Sequence, residues 1–203
     1  MIRCNLFTAI AATLSLFLSV SCSTNNKIER PNIILVMADD QGWGDTGYNG
    51  HPFVQTPTLD AMAKTGFVFD RFYAGAPVCS PTRASVMTGR NSTRFGQFAP
   101  TMAMRPEEIT IAEILKEKGY ATCHVGKWHL NGYFNSKEHP QPNDHGFDHW
   151  MATQNNAAPN HKNPQNFVRN GKEVGALEGY SAPLVVEEAI RWLKEIKNPK
   201  KPF

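Results

Sequence analysis

An α/β fold with a mostly parallel central sheet flanked by helices is what this sequence predicts, and three features carry the expectation. Runs of strand length, at 33–37, 67–74 and 120–126, alternate with stretches of helix length. The run Ile33–Met37 is continuously apolar, as in a central strand covered on both faces. The helical stretches carry their own boundary residues: Thr56 or Thr58 and Gly66 around "TPTLDAMAKTG", Gly119 after "EEITIAEILKEK", and Ser181 before "APLVVEEAIRWLKEI".

From the N-terminus, residues 1–22 stand apart. Arg3 supplies a positive leader, residues 6–20 are apolar or small, and "SVSC" runs into the polar "STNNK". This is the pattern of a secretory signal, too short for a comfortable membrane span. Cys22 has the setting of a bacterial lipoprotein acceptor, with Ser19 where leucine is usual; a cleaved signal with an incidental Cys22 is the alternative. Either reading exports the chain to an oxidising compartment, periplasmic or held at the outer membrane by a lipid, with no other membrane contact. Residues 23–30 read as a linker and 31–203 as the folded part.

The strand at 33–37 ends in two adjacent carboxylates, Asp39 and Asp40, and then the turn-rich "QGWGDTGYNG". Alone, the pair reads as a solvated turn or as hard-cation ligands. "FVFDRFYA" alternates like a strand, and "FVRNGKEV" carries the hairpin signal Asn170-Gly171. Ile111, Ile114 and Leu115 mark the apolar side of one helix, and Val186, Ile190, Leu193 and Ile196 that of the last; both stripes are expected in the core. Residues 131–166, rich in Asn, Pro and His, form a long loop region of the kind that borders enzyme sites. "KEIKNPKKPF" breaks off where a further strand is expected, which suggests a chain cut short.

Composition narrows the function. The chain has 203 residues, 41% hydrophobic and 19% charged, enough for a core, and its formal charge of +3 includes no long run of one sign, so nucleic acid is not indicated. With Cys4 and Cys22 in the leader, Cys79 and Cys123 remain, and their spacing permits a disulfide. The neighbours of Cys79 point elsewhere. Ser80 suits an N-cap, Pro81 the first helical turn, and Gly89 a C-terminal stop. Cys79 therefore belongs at a helix N-terminus, where free N–H groups favour anions, with Arg83 one turn on.

Those residues also resemble a family. Cys79-Ser80-Pro81-Thr82-Arg83, continued to Thr88-Gly89, matches the type I sulfatase signature at every fixed position. "GYATCHVGKWHL", 119–130, resembles the second signature; "ADDQGWGD" resembles the first metal-binding strand end; and "HGFDHW", 145–150, is similar to a recurring segment. They stand in the family's order across 31–203, in a pattern similar to its N-acetylgalactosamine-6-sulfatase and arylsulfatase branch.

The resemblance implies an alkaline-phosphatase-like sandwich, incomplete at its C-terminus, and hydrolysis of sulfate monoesters on a sulfated sugar or aryl sulfate. It implies that a formylglycine-generating or anaerobic sulfatase-maturing enzyme oxidises Cys79 to Cα-formylglycine, whose hydrate attacks sulfur. It makes Asp39, Asp40 and modified Cys79 ligands of Ca²⁺, or of Mg²⁺, and assigns Arg83, Lys127 and His129 to the nucleophile and the sulfate. In an extended "GKWH", Lys127 and His129 share a side and Trp128 packs away from them. Gln41, Asp45, His124, His139, His145, His149 and His161 are weaker candidates, each with a structural alternative. A phosphodiester or phosphonate monoester hydrolase of the same superfamily, and a non-catalytic fragment, are the rival readings.

Overall fold

The computed structural model describes residues 30–96, 103–196 and 200–203, so the readings of 1–22 as a signal and of nearly all of 23–30 as a linker lie outside it. Residues Pro31–Phe203 form one compact unit. Its helices are α1 (Pro57–Thr65), α2 (Cys79–Thr88), α3 (Ile111–Glu117) and α4 (Ser181–Glu195), and its strands β1 (Cys123–Lys127), β2 (His149–Thr153), β3 (Val168–Arg169) and β4 (Lys172–Glu173).

The sheet runs in the order β1-β2-β3-β4. β1 and β2 pair in parallel, from Cys123↔His149 to Lys127↔Thr153, whereas β2–β3 and β3–β4 are antiparallel. The α/β class therefore holds with a mixed sheet among the described residues. The edge hairpin turns through Asn170 and Gly171, both at positive φ (48° and 83°), as the Asn-Gly pair predicts.

Alternation along β2 builds a core on each face. Trp150 and Ala152 pack with Ala84 of α2, Trp128, Leu130, Phe95, Met104 and Val168. Met151 packs with Phe167 and Ala157 on the other face, together with Val185 of α4. Helices thus cover both sides of the sheet.

Local signals set most element ends. α2 stops at Gly89, whose φ of 65° lets its N–H reach the Ser85 carbonyl. It begins one residue before the expected cap: Val78 is the N-cap and Ser80 is buried in the first turn. α3 opens on a capping box, with the Glu113 N–H donating to Thr110 Oγ1 and the Thr110 N–H to Glu113 Oε2. The Thr110 hydroxyl then donates 2.8 Å to the His145 carbonyl, tying "HGFD" to this helix start. Beside it, Gly146 has φ +94°, and an added Cβ would lie 2.5 Å from the Glu113 nitrogen, so only glycine fits.

Several expectations change, among them that of a single long loop over 131–166, which contains β2. Residues 33–37 form no buried strand; Ile34 is 72% and Val36 89% exposed. Among the described residues this segment's backbone pairs only at its start, where the Ile33 N–H donates 2.7 Å to the Phe203 carbonyl. An apolar run states what a strand can bury, and burial needs layers on both faces. Residues 67–74 likewise form no regular strand, with Phe67 98% exposed, because no partner ladder lies beside them among the described residues. On α4, Val186 and Ile190 are exposed and the buried residue is Glu188. Its carboxylate accepts from Arg169 of β3 (2.8 Å to each oxygen), lies 2.8 Å from His149 Nε2 of β2, and pairs with Arg191. That ion cluster, rather than the apolar stripe, sets the inward face of α4. Ser181, expected as its cap, instead bonds the His161 ring at 2.8 Å, and Tyr180 is the N-cap.

Candidate active site

In open α/β sheets, ligands sit at the carboxyl ends of parallel strands. Here that edge holds Lys127, the last residue of β1, and the loop after Thr153, the last residue of β2. The Trp128 N–H donates 2.9 Å to the Thr153 carbonyl and its ring enters the core, so Trp128 packs as expected. His129 has φ +53°, so the backbone turns there rather than continuing the extended spacing expected for 127–129.

Asp39 is the centre of the cluster. It accepts 2.9 Å from Arg83 Nη2 on one carboxylate oxygen and 2.9 Å from Lys127 Nζ on the other. Arg83 Nη1 also donates 2.9 Å to the Lys127 carbonyl, so one guanidinium joins α2, the end of β1 and the 39–40 turn. Arg83 and Lys127 are 11% exposed and Asp39 33%. Burial alone would raise the Asp39 pKa; the hydrogen bonds from Lys127 and Arg83 outweigh it and hold the carboxyl below its ordinary value. His129 belongs to the same field. Burial lowers its pKa first, and the positive charges of Lys127 and Arg83 lower it further, so the ring is neutral at pH 7.

Cys79 opens α2, half-buried and one turn before Arg83. Residues i and i+4 share a helix face, so Cys79 and Arg83 lie on one side of α2. Both Cys79 and Cys123 are free. The reason is topological: Cys123 begins β1 and Lys127 ends it, so about 13 Å of strand separates Cys123 from the edge that α2 reaches. Buried polar atoms without partners are costly, and two lie in the cluster, Arg83 Nε and His129 Nδ1.

Asp40 follows Asp39 at φ +54°, an exposed turn residue. Among the described residues, no group of three or more His, Cys, Asp or Glu side chains could by itself hold a metal. The carboxylates of Asp39 and Asp40 suit Ca²⁺ or Mg²⁺ in kind, but Ca²⁺ takes 6–8 oxygens. The described residues therefore fit part of a shell, with the rest left to water, substrate or other protein oxygens.

The weaker candidates take structural tasks. Asp45 accepts 2.7 Å from the Gly42 N–H within its turn. His139 Nδ1 accepts from the N–H groups of Gly132 and Tyr133, folding the 131–139 loop. His149 serves Glu188 and His161 serves Ser181. His124 is half-buried against Trp128, with ring centroids 5.1 Å apart, and desolvation of its ring followed by the nearby Arg83 charge brings its pKa down to about 4. His145 is fully buried beside the same tryptophan. Gln41 is exposed. A cleft of about 370 Å³ lined by Asn135, Lys137, Asp148, Trp150 and Asn170 lies toward the opposite end of β2 and shares no residue with the cluster. Asn156 was not anticipated: its side-chain oxygen accepts 3.3 Å from Lys127 Nζ.

A profile of the sulfatase family matches residues 31–203. The chain belongs to the sulfatase family. It is 34% identical over 174 residues to the ulvan-active sulfatase of Formosa agariphila, covering 86% of this chain and 34% of that protein. It is 42% identical over 140 residues to the N-acetylgalactosamine-6-sulfatase of Mus musculus, covering 62% and 26%. Among solved structures, Ps i-CgsB aligns with a TM-score of 0.76 at 30% identity, covering 86% of this chain and 43% of that one. BT4656, solved in complex with its substrate D-glucosamine-2-N,6-O-disulfate, aligns at 0.71 and 31% identity, covering 86% and 33%. This sulfatase chain thus spans about a third of the length of the ulvan-active relative. Its α/β fold is that of these two solved structures.

Proposed function

We propose that the protein containing this chain hydrolyses sulfate monoesters of sulfated carbohydrates at the Arg83–Asp39–Lys127 cluster, with Cys79 as the precursor of its nucleophile. The observation that carries the reading is Asp39 pinned between two nearly buried cations, one of which, Arg83, lies a helical turn after the free Cys79.

Arg83 and Lys127 hold the sulfate. Their charges are fixed in place before substrate arrives, and in a poorly solvated site such charges favour developing oxyanion charge. Arg83 also locks the ends of α2 and β1 together, so the side chain at 79 and the Lys127 ammonium keep one separation. His129, neutral at pH 7, is able to take or return a proton through its ring. Matured to Cα-formylglycine by a separate enzyme, residue 79 would supply a diol oxygen as nucleophile and release sulfate when the aldehyde reforms. Asp39, Asp40 and residue 79 would hold Ca²⁺, which supplies Lewis acidity when bound. Export through the leader at 1–22, with lipidation at Cys22, is part of the same proposal.

The test is substrate competition with the matured full-length protein. A sulfated monosaccharide is expected to be turned over at least about 100-fold faster, in kcat/KM, than the matching phosphate monoester or a phosphodiester, a difference of about 2.7 kcal/mol in transition-state binding. Preference for the diester would overturn the sulfate assignment in favour of the diesterase reading.

A further inference from the structure

Lys127 has two acceptors. Its Nζ donates 2.9 Å to Asp39 Oδ2 and 3.3 Å to Asn156 Oδ1. An ammonium only donates, so the Asn156 carboxamide must turn its oxygen toward Lys127 and its NH₂ away. That NH₂ makes no hydrogen bond to a described residue, and Asn156 is exposed where Lys127 is nearly buried.

The loop that presents it is built rather than slack. Thr153 Oγ1 donates 2.6 Å to the Asn155 carbonyl. Asn166 Nδ2 donates 3.0 Å to the Asn156 carbonyl, while Asn166 Oδ1 accepts 2.8 Å from the Ala158 N–H. The Gln165 N–H closes onto the Ala158 carbonyl at 2.7 Å, and Ala157 is packed beneath with Met151 and Phe167. A side chain carried on a backbone fixed by such contacts has less freedom to lose on meeting a ligand.

We infer that Asn156 is a specificity-determining residue: its oxygen positions Lys127, and its amide hydrogens bind a sugar hydroxyl next to the sulfate ester. This rests on the sulfatase reading above. The chemistry follows from division of labour. Two cations already meet the sulfate charge, and a neutral donor beside them suits an uncharged oxygen. A site built to hydrogen-bond a hydroxyl discriminates against an analogue that lacks it.

The experiment compares a sulfated monosaccharide with its analogues deoxygenated at each carbon neighbouring the sulfate, using the matured full-length protein, Asn156→Ala and Asn156→Asp. The wild-type protein is expected to prefer the hydroxylated sugar by about five- to tenfold in kcat/KM, the worth of one hydrogen bond. Both variants lose the preference, since neither offers amide hydrogens. Asn156→Asp keeps an acceptor for Lys127 but sets a carboxylate beside the sulfate, so it is expected to raise KM while retaining more kcat than Asn156→Ala. Calorimetric affinities of the same sugars for protein whose Cys79 is left as a thiol should show the same ratio without turnover. A wild-type preference that survives unchanged in both variants, or no wild-type preference at all, overturns the assignment while leaving sulfatase activity intact. Wild-type protein that neither binds nor hydrolyses any sulfated sugar would instead remove the sulfatase reading, and this inference with it.

Discussion

Cys79→Ala lowers sulfate-ester turnover by at least about 10⁴-fold, the scale seen when a covalent nucleophile is removed. The substitution keeps Arg83, Lys127 and Asp39, and so keeps anion binding; kcat falls far more than KM rises. Stability changes little, because the side chain is small, half-buried and at the first position of α2. Cys123→Ser is the control. Burial first, and the negative charge of Glu188 second, push that thiol up to about 12, so it stays protonated and inert at neutral pH. It lies at the far end of β1, and turnover is expected to be unaffected. Kinetics on the matured protein decide: a Cys79→Ala enzyme with most of its activity would mean that another group attacks sulfur.

The second large effect is on stability. Glu188→Ala is expected to destabilise the domain by about 2–4 kcal/mol, measured as a shift in denaturant midpoint at constant slope. Glu188 is 4% exposed and gathers His149, Arg169 and Arg191 from β2, β3 and its own helix. Its loss unpairs them together. The value lies below the upper limit for buried pairs because the two arginines are partly exposed and regain water. The pH dependence has a definite sign. Burial alone would raise the Glu188 pKa, but the hydrogen bonds from Arg169, Arg191 and His149 outweigh it and hold the pKa at about 2, against an ordinary 4.5. A depressed folded pKa stabilises above the unfolded value, so this contribution is complete above pH 4.5 and is lost as pH falls toward 2. His124 acts in a higher window: with a folded pKa of about 4 against 6.5, it costs stability as pH falls from 6.5 to 4. Glu188→Gln should therefore flatten the lower window and leave the upper one. Equal slopes below pH 4.5 in the wild type and Glu188→Gln would contradict this cluster's role.

Local chemistry was the legible part of this chain. The Gly89 stop, the Asn170-Gly171 turn and the helical spacing of Cys79 and Arg83 are written within a few residues, and the structure repeats them. Periodicity was less reliable where the covering layer decides. Ile34 and Val36 are apolar, yet nothing among the described residues covers them. The stripe on α4 misled because a glutamate can occupy an inward face when a histidine and two arginines from distant positions converge on it. At the site, the types of residue were readable and their pairing was not. The Asp39–Lys127 bond spans 88 positions, and Asn156 was one amide among many in an Asn-rich loop until β1 and β2 placed it beside Lys127.

One mass decides whether residue 79 is what the chemistry requires. Trypsin cuts after Arg71 and Arg83, so Phe72–Arg83 carries the residue as a single peptide. In an active preparation that peptide is expected to weigh about 18 Da less than its thiol form, since conversion to the aldehyde replaces sulfur and two hydrogens by one oxygen. A preparation that hydrolyses sulfate esters with the Cys79 thiol mass intact would show that the nucleophile lies elsewhere.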